Sequence, residues 1–439
     1  MKTCPLVLAG LACAVGLSVP APSAAQGGAA SQSASPSSSQ SQQNMEKMKE
    51  FRVATTDLNI PSVPQEGRNA TAIAANLKQV KLPAGFKIEL FAVVPDARHM
   101  AVAPSTNMLF VGTRKQSVWA VTDRNSDGFA DEVKAFAPSL KFSNPNGVCW
   151  TKDGFLVVAE HNRILNFPAA EFFYEGPDVA VSEVVPQGKL IPTEDESFNH
   201  GARTCRVGPD NKLYVTLGQP FNVPARDKLE RFAKLGIGGI IRMDPFNGSG
   251  REVFATGVRN SVGQDFNPKD NSLWFTDNQT DGMGDDIPAG EINRADKPGM
   301  FFGYPYIQGK TRITEFGYDK DPLPENTTAA EVLMEAHAAD LGMTFYTGKQ
   351  FPAKYQGALF SAQHGSWNRT KPIGARVMVT YLNGDGRAEK TEPFAEGWLD
   401  ANTGTYRGRP VDVAMMKDGS LLVSDDYAGA IYRISYSGQ

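Results

Sequence analysis

The sequence has no surplus of positive charge, few histidines and few cysteines. Its 439 residues include 44 Lys and Arg against 48 Asp and Glu, which gives a net charge of −4 at pH 7. A protein that binds nucleic acid or an anionic membrane through charge needs a basic excess, and this chain has none. Histidine occurs only five times and cysteine four times, so each of these residues can be considered individually.

Long apolar runs are also missing after the N-terminus. No later segment approaches the ~20 apolar residues needed to span a bilayer. The chain begins MKTCPLVLAGLACAVGLSVPAPSAAQ, which is one Lys, an apolar run and then small residues, with Ser23 and Ala25 before Gln26. We interpret residues 1–25 as a signal peptide, which predicts a periplasmic or secreted protein.

Two further segments follow from composition. Residues 26–77 are interpreted as a flexible Ser/Gln-rich tether with an N-terminal extension. The remainder, 78–439, is long enough for one large closed domain. It keeps Cys149 and Cys205, which an exported protein could join in a disulfide. Each also lies beside an apolar run where a buried free thiol would fit, so both alternatives stay open.

One pattern recurs six times in the domain: a turn with Asp, Asn or Gly, a strand reading L-x-V or L-aromatic-x, and a polar loop. The leucines that mark it are Leu109, Leu156, Leu213, Leu273, Leu359 and Leu421. Six similar strand units in a helix-poor chain predict an all-β fold, a six-bladed β-propeller, with a pair of β-sandwiches as the alternative. The spacing of 86 residues (359 − 273) predicts an insertion in the fifth blade, between Lys310 and Gly348. The strand that starts near Leu82 is expected to join the ends of the ring.

Equivalent turns of a propeller emerge on one face, so the loops after the repeated strand are candidates for a shared site. They contain Arg114, His161, Asn278, His364, Trp367, Asn368 and Arg369. Trp367 could stack on a planar cofactor or a sugar, or it could simply fill a gap between blades. His200 lies just before a repeated strand and could accept a proton near neutral pH, although a lone His is usually an ordinary surface or core residue.

The longest acidic loop follows the strand NSLWFTDN and runs from Asp277 to Glu291. Oxygen donors on a Gly-rich backbone are suited to Ca²⁺, and the cation Arg259 lies just upstream beside Asn260. This arrangement favours a site for a metal-bound anionic ligand, and a solvated loop is the alternative.

A second calcium motif is present in DRNSDGFADE. Its oxygen-bearing residues are Asp123, Asn125, Asp127 and Asp131. The spacing resembles a calcium loop whose final Glu is missing, and a D-G hairpin turn that binds nothing is the alternative.

Taken together, LPAGF, GVRN, DN-x-x-D-x-x-GDD-x-P-x-x-E-I-N, HGSWNR and GRP…DGSLLVSDD occur here in the order found in one family. Over about 76–438 the chain resembles the L-sorbosone dehydrogenase branch of the pyrroloquinoline quinone (PQQ) dependent sugar dehydrogenases. The resemblance implies a six-bladed propeller that carries PQQ and Ca²⁺ and oxidises a sugar or sugar aldehyde in the periplasm.

The resemblance also implies roles for individual residues. His200 resembles the general base, and Arg259 and Asn260 resemble the pair that contacts the quinone, with Arg259 counted among the catalytic residues. Asn146 resembles a substrate-pocket residue. The other implied cofactor contacts are Arg369, Arg409, Trp367 and His364, and the implied calcium ligands are Asn278, Gln279, Thr280, Asp281 and Glu291.

Two departures bear on substrate and electron transfer. Asn278-Gln279-Thr280 replaces the Gln-Gly-Pro of the glucose enzymes, which favours sorbosone or aldose over glucose. No C-x-x-C-H haem motif occurs in the sequence, so a separate electron acceptor, a quinone or a cytochrome, is expected. A Ca²⁺-dependent lactonase and a non-catalytic binding propeller are the competing functions.

Overall fold

The computed structural model describes residues 60–438, and over this range most of the regular secondary structure is β-strand. The signal peptide and most of the tether lie outside the described residues. Three α-helices occur in the described range: α1 (Arg68–Leu77), α2 (Ala170–Phe173) and α3 (Leu229–Leu235). None of the helices in 60–438 is long and apolar enough to cross a membrane.

Six sheets of four or more strands succeed one another along the chain as blades. In the first three blades, the strands lie side by side in the order of the chain. Blade one is β2 (Met100–Val102), β3 (Met108–Val111), β4 (Val118–Thr122) and β5 (Glu132–Phe136); blade two is β6 (Gly147–Trp150), β7 (Phe155–Ala159), β8 (Ile164–Pro168) and β9 (Ser182–Val185); blade three is β10 (Cys205–Val207), β11 (Leu213–Leu217), β12 (Gly239–Met243), β13 (Glu252–Thr256) and β17 (Met300–Phe301).

The last three blades follow the same order, except that the final strand of blade six comes from the start of the domain. Blade four is β14 (Gln264–Phe266), β15 (Leu273–Asp277), β16 (Gly290–Ala295) and β20 (Val332–Met334); blade five is β21 (Asp340–Phe345), β22 (Leu359–Gln363), β23 (Arg376–Leu382) and β24 (Ala388–Glu396); blade six is β27 (Pro410–Met415), β28 (Leu421–Asp425), β29 (Ala430–Tyr436) and β1 (Phe86–Val93). Two short hairpins pair β18 (Ile307–Gln308) with β19 (Thr311–Arg312), and β25 (Leu399–Asp400) with β26 (Thr405–Tyr406).

The blades close into a ring, which confirms the predicted six-bladed β-propeller. The first strand of each blade contacts the first strands of both neighbouring blades, all the way round from β2 to β27 and back to β2. A separate apolar cluster fills each of the six interfaces between neighbouring blades. The six marker leucines are all buried in these clusters, so the repeat in the sequence corresponds to blade-to-blade packing.

Ring closure uses the strand that the sequence predicted for it. β1 pairs antiparallel with β29, from Phe86 opposite Tyr436 to Val93 opposite Ala430. α1 packs against blades five and six through Ala70, Ile73 and Leu77. The last part of the N-terminal extension, from residue 60 on, is therefore packed on the propeller.

The insertion lies in blade four, and the assignment to blade five was wrong. It separates β16 from β20 and includes β17, which pairs in parallel with the edge strand β13 of blade three. The marker leucines lie on second strands. The spacing between two of them therefore spans the outer strands of one blade and the inner strand of the next, and it cannot show which blade is extended.

Cys149 and Cys205 form a disulfide, which decides between the two alternatives left open by the sequence. The bond joins β6 to β10, the innermost strands of blades two and three. It therefore links two neighbouring blades directly.

Candidate active site

A cavity of about 190 Å³ opens on one face of the propeller. Apart from Leu341 in β21, its residues come from two kinds of loop, those that precede the first strand of a blade and those that follow the second strand. Blades one, three, four and five contribute these residues: Arg98, Arg114, His200, Gly201, Ala202, Arg259, Asn260, Val262, Asn278, Gln279, Asp281, His337, Ala339, Leu341, His364, Trp367 and Asn368. The fold thus gathers loops that are far apart in the sequence.

Arg259 and Asn260 are fixed by a buried carboxylate. The backbone N–H groups of both residues donate to Asp277 at 2.7–3.1 Å, and burial raises the pKa of Asp277 against these hydrogen bonds. The Arg259 guanidinium donates at 2.8 Å to Asn222 Oδ1 and at 2.8 Å to Asp281. Arg259 is 3% exposed, so a rigid, buried cation lies in the cavity wall.

His200 is held as a neutral imidazole. Its Nδ1 lies 2.5 Å from the carbonyl oxygen of Gln219, and because a carbonyl only accepts, Nδ1 carries the hydrogen and Nε2 keeps its lone pair. Burial and the positive charge of Arg259 lower the pKa of His200 to about 3. A Cβ at Gly218 would lie 2.5 Å from Asn260 Oδ1 and 2.7 Å from the His200 carbonyl oxygen. Only glycine at this position therefore allows the segments that carry His200 and Asn260 to lie so close to the end of β11.

His364 belongs to a hydrogen-bonded chain of charged groups. Its Nε2 lies 2.7 Å from Asp426 Oδ1, and Arg98 donates to the other oxygen of Asp426 at 2.7 Å. Although burial favours the neutral carboxyl, these two partners hold the pKa of Asp426 below its usual range. Burial lowers the pKa of His364, and Asp426 opposes that change.

Asn146 supports this chain from behind. It is fully buried, accepts a 2.7 Å hydrogen bond from Arg98 Nε and donates at 2.8 Å to the carbonyl oxygen of Arg203. Asn146 is therefore placed next to a cavity residue and is not itself part of the lining.

The acidic loop places its predicted calcium ligands in two different directions. Asn278, Gln279 and Asp281 line the cavity, and Asp281 accepts hydrogen bonds from Arg259 and, at 2.7 Å, from Asn368. Thr280 faces away and donates from its N–H and hydroxyl to Gln308 Oε1 at 2.8 and 3.0 Å.

The fifth predicted ligand, Glu291, lies on β16 opposite Asp277. It is buried and accepts hydrogen bonds from the Gly309 N–H and from Asn293. Over residues 60–438 no three His, Cys, Asp or Glu side chains are gathered as a metal cluster would require. The loop therefore presents no ready carboxylate cage.

The two arginines predicted to meet the cofactor's carboxylates instead bind loop backbone. Arg369 donates to the carbonyl oxygen of Asp285 and pairs with Asp286 at 3.1 Å. Arg409 donates to the carbonyl oxygens of His364 and Gly365 at 3.0 and 2.6 Å. Neither arginine lines the cavity, whereas Trp367 does and is 75% exposed.

Three ionisable lining residues were not assigned to the site from the sequence. Arg98 and His337 each lie just before the first strand of a blade, as His200 and Arg259 do. This shared position is the signal in the sequence that could have assigned Arg98 and His337 to the site. Arg114 was noted in the recurring loop position without a role. His337 contacts the carbonyl oxygens of Gly284 and Ile287 through Nε2 at 2.8 and 3.0 Å, so it both anchors the acidic loop and lines the cavity.

The second calcium motif lies elsewhere. It connects β4 to β5, on the face opposite the cavity. Asn125 donates at 3.1 Å to both Asp127 and Asp131, and Gly128 N–H donates at 3.1 Å to Asp123. Its calcium binding stays a prediction.

The sequence is similar to those of several known proteins. A protein of Borreliella burgdorferi described as uncharacterized is 30% identical over 402 residues, which cover 88% of this chain and 97% of that protein. Aldose sugar dehydrogenase YliI of Escherichia coli is 28% identical over 51% of this chain and 56% of its own length.

The pyrroloquinoline quinone-dependent pyranose dehydrogenase of Coprinopsis cinerea is 25% identical over 56% of this chain, which spans only 41% of that protein. The solved holo form of its PQQ domain superposes with a TM-score of 0.65 at 18% identity and covers 81% of this chain and 97% of that domain. This likeness confirms the shared fold. The TrAA12-like family matches residues 80–437, nearly the whole described propeller, and the chain therefore belongs to the TrAA12-like family.

Proposed function

We propose that this protein is a PQQ-dependent dehydrogenase that oxidises a sugar or sugar aldehyde of the aldose or sorbosone type. The relatives named as sugar dehydrogenases support the reaction class. The observation that carries the proposal is the cluster of cations in a cavity open to small molecules. Arg98, Arg114 and Arg259 all line that cavity.

The lining fits PQQ, a planar molecule with three carboxylates. The pKa of Arg114 is lowered mainly by the nearby guanidinium of Arg98 and, to a smaller extent, by burial. The Arg114 side chain has no ion pair or hydrogen bond within residues 60–438. Asp426 and Asp96 oppose this lowering of the pKa but do not cancel it, and two neighbouring guanidinium groups in one cavity favour a ligand that carries carboxylates. The buried Oδ1 atoms of Asn260 and Asn368 also lack partners in the described part of the chain, which leaves hydrogen-bonding capacity for a ligand.

In the proposed reaction, the cofactor accepts the hydride and the protein supplies the groups that bind the cofactor and take the proton. When bound, PQQ supplies a quinone that accepts the hydride from the sugar. Arg114 would bind a carboxylate of PQQ through its planar fork, and Arg98 and Arg259, whose guanidinium groups already pair with Asp426 and Asp281, would add positive charge to the same cavity. We propose His200 as the base. Its Nε2 lone pair is free to take the substrate's hydroxyl proton while Nδ1 stays bound to Gln219.

One observation favours His364 as a rival base. It is oriented by the carboxylate of Asp426 at 2.7 Å, and such a partner stabilises the imidazolium that forms when a proton arrives. His200 has only a carbonyl oxygen in that position.

The residues fit Ca²⁺ less well than PQQ. Asn278, Gln279 and Asp281 bring oxygen atoms to the cavity, but Asp281 is already paired with Arg259, and Thr280 and Glu291 face other partners. Calcium dependence remains our hypothesis from the resemblance, as do export to the periplasm and a separate electron acceptor.

Reconstitution tests the function. Purified cofactor-free protein is mixed with PQQ, with and without Ca²⁺, and reduction of a redox dye is followed with a panel of aldoses, L-sorbosone and simple aldehydes. Sugar-dependent dye reduction that requires PQQ is the expected result. Lactone hydrolysis without PQQ would favour the lactonase function, and PQQ-independent sugar binding without turnover would favour a binding propeller. Undiminished activity after treatment with EGTA and desalting would remove calcium from the proposal.

A further inference from the structure

A second cavity lies beside the candidate active site, between helix α3 and the insertion of blade four. Its volume is about 340 Å³, a size that accommodates small organic ligands. The walls are mainly apolar and aromatic, and their largest members are Phe232, Ile237, Phe301, Tyr304 and Tyr306. Long insertions in compact domains are usually functional, and this one supplies half of a ligand-sized cavity.

A polar side chain of the wall is left unsatisfied. Gln219 is 5% exposed, and its Oε1 is buried without a hydrogen-bond partner in residues 60–438. Gly238, at φ +74°, makes room for this amide, because a Cβ there would lie 2.4 Å from Gln219 Nε2. Buried amides in proteins are nearly always paired. An unpaired one in a cavity wall indicates a polar group on a ligand.

Residues of the second cavity are linked by hydrogen bonds to two residues of the candidate active site. The backbone of Gln219 holds His200 through its carbonyl oxygen at 2.5 Å. The Tyr304 hydroxyl donates to the carbonyl oxygen of Asn222, which also accepts from Arg259 Nε at 3.1 Å. A ligand here would thus lie one residue away from both His200 and Arg259.

We propose that this cavity binds a quinone as the electron acceptor of the enzyme, an inference that rests on the proposed function. Aromatic walls suit a planar ring. The amide of Gln219 can donate to a quinone carbonyl and accept from a quinol hydroxyl, so it suits both redox states. With PQQ bound, a quinone in this cavity would take two electrons and two protons from the reduced cofactor and leave as the quinol, which would restore the oxidised cofactor.

The test fills the cavity from its rim. Ala233 lies on α3, is exposed and lines the second cavity, so Ala233→Trp should place an indole in it. Lys234→Trp is the matched control, because it adds the same side chain to the same helix outside the lining. Binding of ubiquinone-1 to cofactor-free protein is measured by calorimetry, and reduction of ubiquinone-1 and of a redox dye is measured after reconstitution.

We expect Ala233→Trp to weaken ubiquinone-1 binding, and to raise its KM, by at least ~10-fold through loss of the site. Dye reduction should be unchanged, and Lys234→Trp should match the unmodified protein in every assay. Dye reduction without ubiquinone-1 binding, or equal binding by both variants, would overturn the inference. If no acceptor is reduced with any sugar, the proposed function fails, and the calorimetry alone then decides whether the cavity binds a quinone. A melting temperature equal to that of the control excludes misfolding as the cause.

Discussion

At the scale of single residues, the two candidate bases differ in what holds them. His200 contacts a carbonyl oxygen, and burial together with Arg259 lowers its pKa to about 3. A bound ligand with carboxylates beside Arg259 would offset that positive charge and raise the basicity of His200. His364 already has a carboxylate partner in Asp426. The base can therefore be identified by comparing the two residues in the reconstituted enzyme.

We predict that His200→Gln keeps PQQ bound and lowers kcat by at least ~10²-fold, because general-base assistance typically contributes that much or more. His364→Gln is the matched comparison, since it changes the same type of side chain in the same cavity. Both variants are checked for cofactor content by quinone absorbance before turnover is measured. If His364→Gln abolishes turnover and His200→Gln does not, the base is His364.

A second prediction concerns the cations. Arg114→Ala should weaken PQQ binding by ~1.5–3 kcal/mol, the usual contribution of a hydrogen bond to a charged group. Arg369→Ala is the control, because Arg369 binds the acidic loop and not the cavity, and it should have the smaller effect. The measurement is a titration of cofactor-free protein with PQQ. A larger loss of affinity for Arg369→Ala would support the assignment made from the sequence.

These cations show where sequence reasoning about the site reached its limit. His200 and Arg259 could be assigned because short motifs surround them, and both line the cavity. Arg369 and Arg409 belong to equally distinctive motifs, yet their side chains turn to backbone carbonyls. The direction of a long side chain depends on tertiary contacts that no local pattern encodes, and for the same reason Arg98 was not recognised.

At the scale of elements, the repeated leucines predicted the second strand of every blade. This worked because each second strand is a short apolar run that follows a turn and is buried along almost its whole length, and such a run can be recognised from the local sequence. The blade that carries the insertion could not be predicted in the same way, because it depends on pairing between distant segments. Strand β17 of the insertion pairs with β13 of blade three. The pairing of Cys149 with Cys205 was also undecided, because it depends on the distance between two blades.

The disulfide leads to a prediction about stability. It closes a loop with a sequence separation of 56 residues, and by the chain-entropy model such a bond stabilises the folded state by about 4 kcal/mol. The double variant Cys149→Ala, Cys205→Ala should therefore lower the free energy of unfolding by an amount of this order. Urea denaturation of the variant and of the unmodified protein, both without reductant, provides the measurement. Equal unfolding free energies would show that the link between β6 and β10 adds no stability.

At the scale of the whole molecule, one wall of the candidate active site depends on closure of the ring. β1 completes blade six by pairing with β29, and blade six then meets blade one. Across this junction Arg98 contacts Asp426 at 2.7 Å, and the Met100 N–H donates to Asp412 at 2.9 Å. Because Asp426 also orients His364, the two ends of the domain must meet before this wall of the cavity can form.

Truncation separates the role of the closing strand from that of the preceding helix. A chain that starts at Leu82 lacks α1, whose buried Ile73 and Leu77 would each contribute ~1.5–3 kcal/mol. We expect a lower melting temperature but a cooperative transition and normal PQQ binding.

A chain that starts at Asp96 also lacks β1, which leaves β29 as a bare edge and removes the closure. It should lose both cooperative unfolding and PQQ binding. Circular dichroism on heating and titration with PQQ test this, with a chain that starts at Ile60 as the reference. If the Asp96 chain melts and binds PQQ like the Leu82 chain, the contact between Arg98 and Asp426 does not depend on closure by β1.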